Sequence, residues 1–319
     1  MRHAVLRIPT VAAAALLATA VPVGATATPE PGTVQAWTTD LAGTDGHGVN
    51  TERAGGALRI ADPRWHGAAA RAGGYASEIL PVHTLPAVAD TVHASTVGST
   101  PDGTEVSVDV RGRATHGRWT AWLPASGAHF TRTVRQVQAR VTLTTDSAKT
   151  PAVQRIRYTA RNSGTPAAKP EAAVTAHVFA TREGLVGGTT ANGHVITEND
   201  HFVALPSGRG LSPIDTDDYS VHVCNPANGV CLDQPVWDVG PWNTHDDYWS
   251  PSDSREQWQD LPQGTPEAQA AYNDGYNGGQ DEFGRTVANP AGIDLADGTF
   301  ADLGLTDNGY VDVTYLWTG

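Results

Sequence analysis

The sequence predicts an all-β protein built in two parts, an N-terminal β-sandwich and a second, strongly acidic β domain. Three observations point there. Short runs alternate apolar and polar residues at period two, as in Glu105-Val-Ser-Val-Asp-Val-Arg111, Val137-Gln-Ala-Arg-Val-Thr-Leu143 and Val153-Gln-Arg-Ile-Arg-Tyr158, the pattern of strands with one buried face. Turn formers such as Thr100-Pro-Asp-Gly103 separate these runs. The charge also divides sharply. Residues 30–172 carry 15 basic and 12 acidic residues, whereas 173–319 carry four Arg, no Lys and 22 acidic residues, a net of −18.

In chain order the first element is an export signal, residues 1–27. Arg2 and Arg7 precede an apolar run at 11–23, and Ala25-Thr-Ala27 offers small residues for cleavage. The run is shorter than the roughly 20 apolar residues of a membrane span. No cysteine follows that would carry a lipid. The expectation is a secreted, extracellular chain that leaves the membrane once the signal is removed.

Residues 28–56 are rich in Gly, Thr and Ala with little periodicity and read as irregular. Residues 57–162 form the sandwich, because regular short strands without helices pack as two sheets. Their pattern resembles a galactose-binding-like jelly roll. Within it, Trp119 and Trp122 have two readings, a sugar-stacking platform or core packing. Residues 163–172, with two prolines among small residues, read as a linker. A linker with few contacts predicts that the second domain, 173–319, folds without the first.

The second domain opens on a strand at His177-Val-Phe-Ala-Thr181, followed by a glycine-rich stretch to Gly193 that no regular element absorbs. A short strand ends at Leu205-Pro206. Two further strands flank Cys224-Asn-Pro-Ala-Asn-Gly-Val-Cys231, where Pro226, Asn228 and Gly229 favour a turn. These are the only cysteines. In an exported chain the pair Cys224 and Cys231 reads as a disulfide stapling a hairpin. Residues 299–304 read as a helical turn or two, and Val311-Asp-Val-Thr-Tyr-Leu-Trp317 as the closing strand.

Four motifs in this order resemble the rare-lipoprotein-A family and, more distantly, expansins and family 45 endoglucanases. They are Thr190-Ala-Asn-Gly193, His201 with Leu205-Pro206, Trp237-Asp-Val-Gly-Pro241, and Ile293-Asp-Leu295 with Phe300 and Leu303-Gly304. The resemblance implies a six-stranded double-psi β-barrel with a long inserted segment. The chain departs from these families in three respects, one being Gly292-Ile-Asp294 where expansins have His-Phe-Asp. Val239 stands where the rare-lipoprotein-A family usually has Arg, and 50 residues, 242–291, separate the Asp-Val-Gly-Pro motif from the Ile-Asp-Leu motif.

Cleaving a glycan requires a proton donor beside the glycosidic oxygen. One carboxyl of raised pKa suffices for a lytic transglycosylase, whereas a hydrolase normally needs a second. By resemblance the candidate catalytic residues are Asp238, Asp294 and His201. Each also has a structural alternative: a cap on the Gly240-Pro241 turn, a helix cap, and a buried hydrogen-bonded ring. The candidate substrate-binding residues are Thr190, Asn192, Trp237, Trp242, Tyr248 and Trp249. His245-Asp-Asp247 and residues 273–282 carry oxygen ligands of the kind calcium takes, but not at the spacing of a 12-residue EF-hand loop, so no metal or cofactor is expected.

The expected function is a secreted cell-wall or polysaccharide-active protein, lytic-transglycosylase-like or expansin-like. The alternative is a non-enzymatic binding protein or protease inhibitor on the same barrel. The expected partners are polysaccharide or peptidoglycan glycan strands. The acidic domain repels nucleic acid and anionic membranes, and the chain is expected to be a monomer.

Overall fold

The computed structural model describes residues 32–65, 73–164 and 172–319. The expected signal at 1–27 and most of the linker at 163–172 lie outside the described residues. Among those described, no helix is long and apolar enough to cross a membrane.

The N-terminal part is one ten-stranded antiparallel sheet folded over a single core. Its strands are β1 (Val34–Asp40), β2 (His47–Val49), β3 (Thr51–Ala54), β4 (Ala57–Ile60), β5 (Gly74–Ile79), β6 (His83–Ser99), β7 (Thr104–Arg113), β8 (Leu123–Pro124), β9 (Ala128–Thr145) and β10 (Ala152–Arg161). Segment 28–56, expected to be irregular, therefore holds three strands. Of these, β1 pairs with β10 along its whole length, from Val34 opposite Arg161 to Asp40 opposite Arg155. Its threonines and lone Trp37 gave the sequence little apolar periodicity. What places it is the open edge of β10.

The two longest strands make the sandwich. The last six residues of β9 lie between β5 and β7, whereas its first half pairs with β6, whose register shifts between Thr84 and Thr91. Such irregularities bend a strand, so β9 runs from one layer into the other. Val106, Val108 and Val110 of β7 pack toward the core with Val141 and Leu143 of β9. The alternate residues Glu105, Ser107 and Asp109 stand on the other face, opposite Thr144, Thr142 and Arg140.

The C-terminal part is a closed barrel of six strands: β11 (Thr175–Arg182), β12 (Val203–Leu205), β13 (Ser220–Cys224), β14 (Cys231–Val239), β15 (Ala291–Leu295) and β16 (Gly309–Tyr315). They close in the order β11-β15-β12-β14-β13-β16. β11 with β15 and β12 with β14 are parallel pairs, and the other four are antiparallel. Exchanging the first three strands with the last three leaves every pairing and direction unchanged. This two-fold, interlocked arrangement is compatible with a double-psi barrel. Cys224 and Cys231 face each other across the β13–β14 hairpin and form the disulfide. The inserted segment carries one short helix, α1 (Glu267–Asp274), and a second helix, α2 (Asp297–Asp302), follows β15.

The two parts are joined by more than a linker. Trp119 and Trp122, 4% and 0% exposed, belong to the barrel's own core cluster with Tyr219, Tyr248, Trp249, Tyr315 and Trp317. The Trp122 indole N–H donates to the Leu211 carbonyl at 3.1 Å, and the Tyr219 hydroxyl donates to the Thr120 carbonyl at 2.6 Å. Arg111, stacked 4.3 Å from the Trp119 ring and 4.5 Å from that of Trp122, donates to Asp218 at 2.7 Å. Arg140 reaches the Gly208 carbonyl at 2.9 Å. The two tryptophans are therefore packing residues, and the barrel's aromatic end is completed by the N-terminal domain. This corrects the expectation of a boundary with few contacts, since removing the sandwich would strip two buried indoles from the barrel core.

Candidate active site

Strand pairing brings four residues into one row. Thr181 of β11 lies opposite Asp294 of β15, Asp294 opposite Ala204 of β12, and Ala204 opposite Asp238 of β14. Directly opposed residues share a face of the sheet, so all four side chains point the same way. Two carboxyl groups thus stand one strand apart with only a methyl group between them. With neighbouring strands about 4.8 Å apart, their Cα atoms are roughly 10 Å apart. The row forms the floor of an open cavity of about 410 Å3. Leu185 stands on one side of it, and Trp242, Asn243, Thr244, Arg285 and Asn289 of the inserted segment are among its walls.

Asp238 is buried and held by the backbone. Its Oδ1 accepts the N–H of Ala191 at 2.7 Å and that of Val239 at 2.8 Å. The first of these donors comes from the Thr190-Ala-Asn-Gly turn, which Thr190 ties by donating to the Asn192 side chain at 2.7 Å. Gly193 closes the turn at φ 100°, a conformation that side chains disfavour. Asp294 is half-buried and accepts a hydrogen bond from the Thr181 hydroxyl. Burial raises its pKa to about 7; the Thr181 bond opposes that shift and the charge of Asp238 adds to it.

A third carboxyl was not recognised in the sequence. Glu183 lies two residues beyond Thr181, where the backbone still follows β15 through a 2.9 Å bond from the Glu183 N–H to the Leu295 carbonyl. Burial first, then the charges of Asp238 and Asp294, push its pKa well above the usual carboxylate range, and it hydrogen-bonds Asp238. A bond between two carboxyl groups requires one proton shared by the pair. The period-two step from Thr181 to Glu183 was the available signal, obscured because the glycine-rich stretch begins there.

The cations that line the cavity are engaged. Arg182 donates to Asp297 at 2.6 Å, and Arg285 to Asp281 at 2.5 Å. With three carboxyl groups on its floor, the site suits a neutral or cationic ligand. Leu185 and Trp242, both lining the cavity, have left-handed backbone, at φ 48° and 59°. For non-glycine residues this costs roughly 1 kcal/mol each, strain of the kind that persists where surrounding structure enforces it.

The other candidates divide. Trp242 stands in the cavity wall, its indole N–H donating to Asn289 at 3.0 Å. Trp237 is the extra residue at a register shift of β14, between Val236 and Asp238, and does not line the cavity; it is stacked on Phe202 at 5.8 Å with its N–H on the Thr216 carbonyl. His201 precedes β12 and hydrogen-bonds Asp302 of α2 at 3.0 Å; it does not line the cavity. Thr190 is fully buried, and Asn192 lines a different cavity, between the domains. Tyr248 and Trp249 are core residues. The Tyr248 hydroxyl donates to the Gly292 carbonyl and accepts from Tyr315, and Trp249 stacks on Tyr315 at 5.2 Å. These positions are corrected from substrate contact to support.

Three of the acids in the insertion's oxygen-rich segments are buried and held by arginines, whereas most of 273–280 is exposed. Asp246 pairs with Arg255, Asp247 with Arg209, and Asp281 with Arg285. Among the described residues, one cluster of three potential ligands lies within metal-binding reach, His222 with Cys224 and Cys231. Both of its sulfurs are consumed by the disulfide.

The row predicts a steric test. Ala204→Val adds two methyl groups between Asp238 and Asp294 in a strand that accepts β-branched residues. The expected result is about a hundredfold loss of any reaction that uses both carboxyls, the scale of an ångström's misplacement at a reacting centre. An unchanged circular dichroism spectrum would show that the fold is kept. Full activity would mean that no ligand atom passes between the carboxyls.

Residues 174–314, spanning the barrel, match a family model described as a domain of unknown function (DUF8814). Residues 30–127 match a Peptidase C39 N-terminal domain. No curated protein matches the chain.

Proposed function

We propose that the C-terminal barrel cleaves a polysaccharide outside the cell by general acid catalysis, in the manner of a lytic transglycosylase, with Asp294 as the proton donor. The observation that carries this reading is a carboxyl with pKa about 7, one strand from a second, backbone-anchored carboxyl in an open cavity. Near neutral pH Asp294 still holds a proton. It passes that proton to the glycosidic oxygen as the bond from that oxygen to the anomeric carbon breaks. Asp238 stabilises the positive charge that develops on the sugar ring. A hydroxyl of the same sugar then attacks the anomeric carbon, and its proton returns to Asp294, which restores the starting state. Trp242 offers an apolar ring beside the reacting sugar. The double-psi resemblance, the export signal expected at residues 1–27 and a disulfide suited to an oxidising compartment support the same reading.

The name of the N-terminal match raises peptide cleavage as a second reading. The chain's two cysteines are both in the disulfide, so no thiol nucleophile exists, and a peptidase would have to work through the carboxyls.

The experiment is incubation of the secreted protein with purified peptidoglycan, chitin, cellulose and casein, with products read by mass spectrometry. Sugar products lacking one water relative to hydrolysis products are expected. Their rate of formation should fall as pH rises through about 7, because the donor must be protonated. Peptides from casein without sugar products would establish the second reading, and no product from any glycan would sink the first.

A further inference from the structure

A second cavity of about 700 Å3 lies between the sandwich and the barrel, and it shares Val239 and Thr244 with the cavity of the carboxyl row. One of its walls is the outward face of β7 and β9. There Glu105, Ser107 and Asp109 stand opposite Thr144, Thr142 and Arg140. The facing wall comes from the barrel and the insertion, through Arg209, His245 and Glu256 among others. The alternation that marked β7 in the sequence thus packs its valines against the sandwich core and gives its polar residues to this groove, which Val106 and Val108 also touch.

The charges in this groove are largely balanced within it. Arg140 holds Asp109 at 2.7 Å. Arg209 lies 3.5 Å from Glu256 and 2.6 Å from Asp247. The remaining lining is rich in Ser and Thr hydroxyls, which both donate and accept hydrogen bonds. With three carboxyls (Glu105, Asp109 and Glu256) against two guanidiniums, such a surface carries little net charge, and it matches a ligand that is itself covered in hydroxyls.

We infer that the two cavities form one cleft, and that the N-terminal domain binds the continuation of a neutral polysaccharide strand whose cleaved bond lies over Asp294. This rests on the proposed glycan chemistry and gives the N-terminal domain its role: it selects polymers over short fragments. Ser107 and Thr142, opposite each other in the sheet, are the specificity-determining positions.

The test measures binding separately from cleavage, using Asp294→Asn protein titrated with glycol chitin, hydroxyethyl cellulose and the tetrasaccharide of each. At least one polymer should bind tenfold or more tighter than its tetrasaccharide. Ser107→Trp and Thr142→Trp, at sheet positions that accept aromatic residues, should abolish that advantage and leave tetrasaccharide affinity unchanged. The milder Ser107→Ala keeps the groove open if a Trp variant fails to fold, and it should weaken the polymer alone. Equal affinity for polymer and tetrasaccharide, polymer binding indifferent to these variants, or no binding of either polymer would overturn the inference. So would capture of polylysine in place of the polymers. Cleavage by the wild type, assayed in parallel, reports on the proposed function independently. Cleavage with an indifferent groove defeats only the extended cleft, and binding without cleavage defeats only the chemistry.

Discussion

Asp294→Asn should lower glycan cleavage by at least about a hundredfold, the usual scale of general acid catalysis, while making the protein more stable at pH 8. The substitution is nearly isosteric and keeps an oxygen to accept the Thr181 hydroxyl bond. It removes the proton that the reaction uses, and it also removes a charge that the fold buries. The folded-state pKa is about 7 against an ordinary value of 3.8. Below pH about 4 the carboxyl is protonated in both folded and unfolded chains. Between pH 4 and 7 the unfolded chain ionises and the folded one does not, so stability is progressively lost, and above 7 the loss is complete. The Asn variant escapes this loss. Its advantage in unfolding free energy should grow across that window to about 2–4 kcal/mol and then level off. Rates and melting curves from pH 4 to 9 check both halves. A variant that is active shows that another group donates the proton. A variant that is inactive without any gain in stability shows that Asp294 is better solvated than its place in the row implies.

Arg255→Leu should destabilise the protein by about 3–5 kcal/mol, the cost of stranding one partner of a buried ion pair. Arg255 and Asp246 are both essentially inaccessible to solvent. Arg255 donates to Asp246 through Nε at 2.9 Å and to the Thr265 carbonyl at 3.0 Å. The other oxygen of Asp246 accepts the N–H of Glu267 at 2.7 Å, at the start of α1. Even with its partner present, burial holds Asp246 at about pKa 6. Glu267, at about 7 through burial, accepts a bond from Asn243 in the cavity wall. The pair therefore pins the inserted segment that forms one side of the site. Denaturant unfolding measures the loss, and Asp246→Asn in the same background should recover part of it by removing the stranded charge. A single variant as stable as the wild type would show that the insertion is held by its aromatic packing instead.

The sites of these two predictions differ in how far the sequence revealed them. Asp294 and Asp238 were visible because each sits in a short motif at the end of an apolar strand. The fold adds the distance between them, set by Ala204 on a strand from elsewhere in the chain. Arg255 carried no signal. It is one arginine in an acidic, aromatic segment, and only the packed structure shows which of the nine acids between Asp246 and Glu282 faces it. The same holds for the aromatics of the insertion. Trp242 reaches the cavity, whereas Tyr248 and Trp249 close the barrel core, and hydrophobicity alone does not tell these apart.

The sequence by itself determined the all-β class, the break between two domains of unlike charge, the cysteine hairpin and the order of the barrel motifs. Each of these is local, resting on period-two alternation, turn chemistry or the pairing of two nearby cysteines. Tertiary structure decided what depends on contacts distant in sequence. It paired β1 with β10, decided between the two readings of Trp119 and Trp122 by placing both in the barrel core, and left His201 and Trp237 outside the cavity of the carboxyls. It also brought Glu183 to Asp238, 55 positions apart, because the parallel pairing of β11 with β15 and of β12 with β14 carries their ends into one row. Alternation along a strand specifies which residues share a face. Which strand lies beside it, and what that face meets, is specified only by burial of the assembled chain.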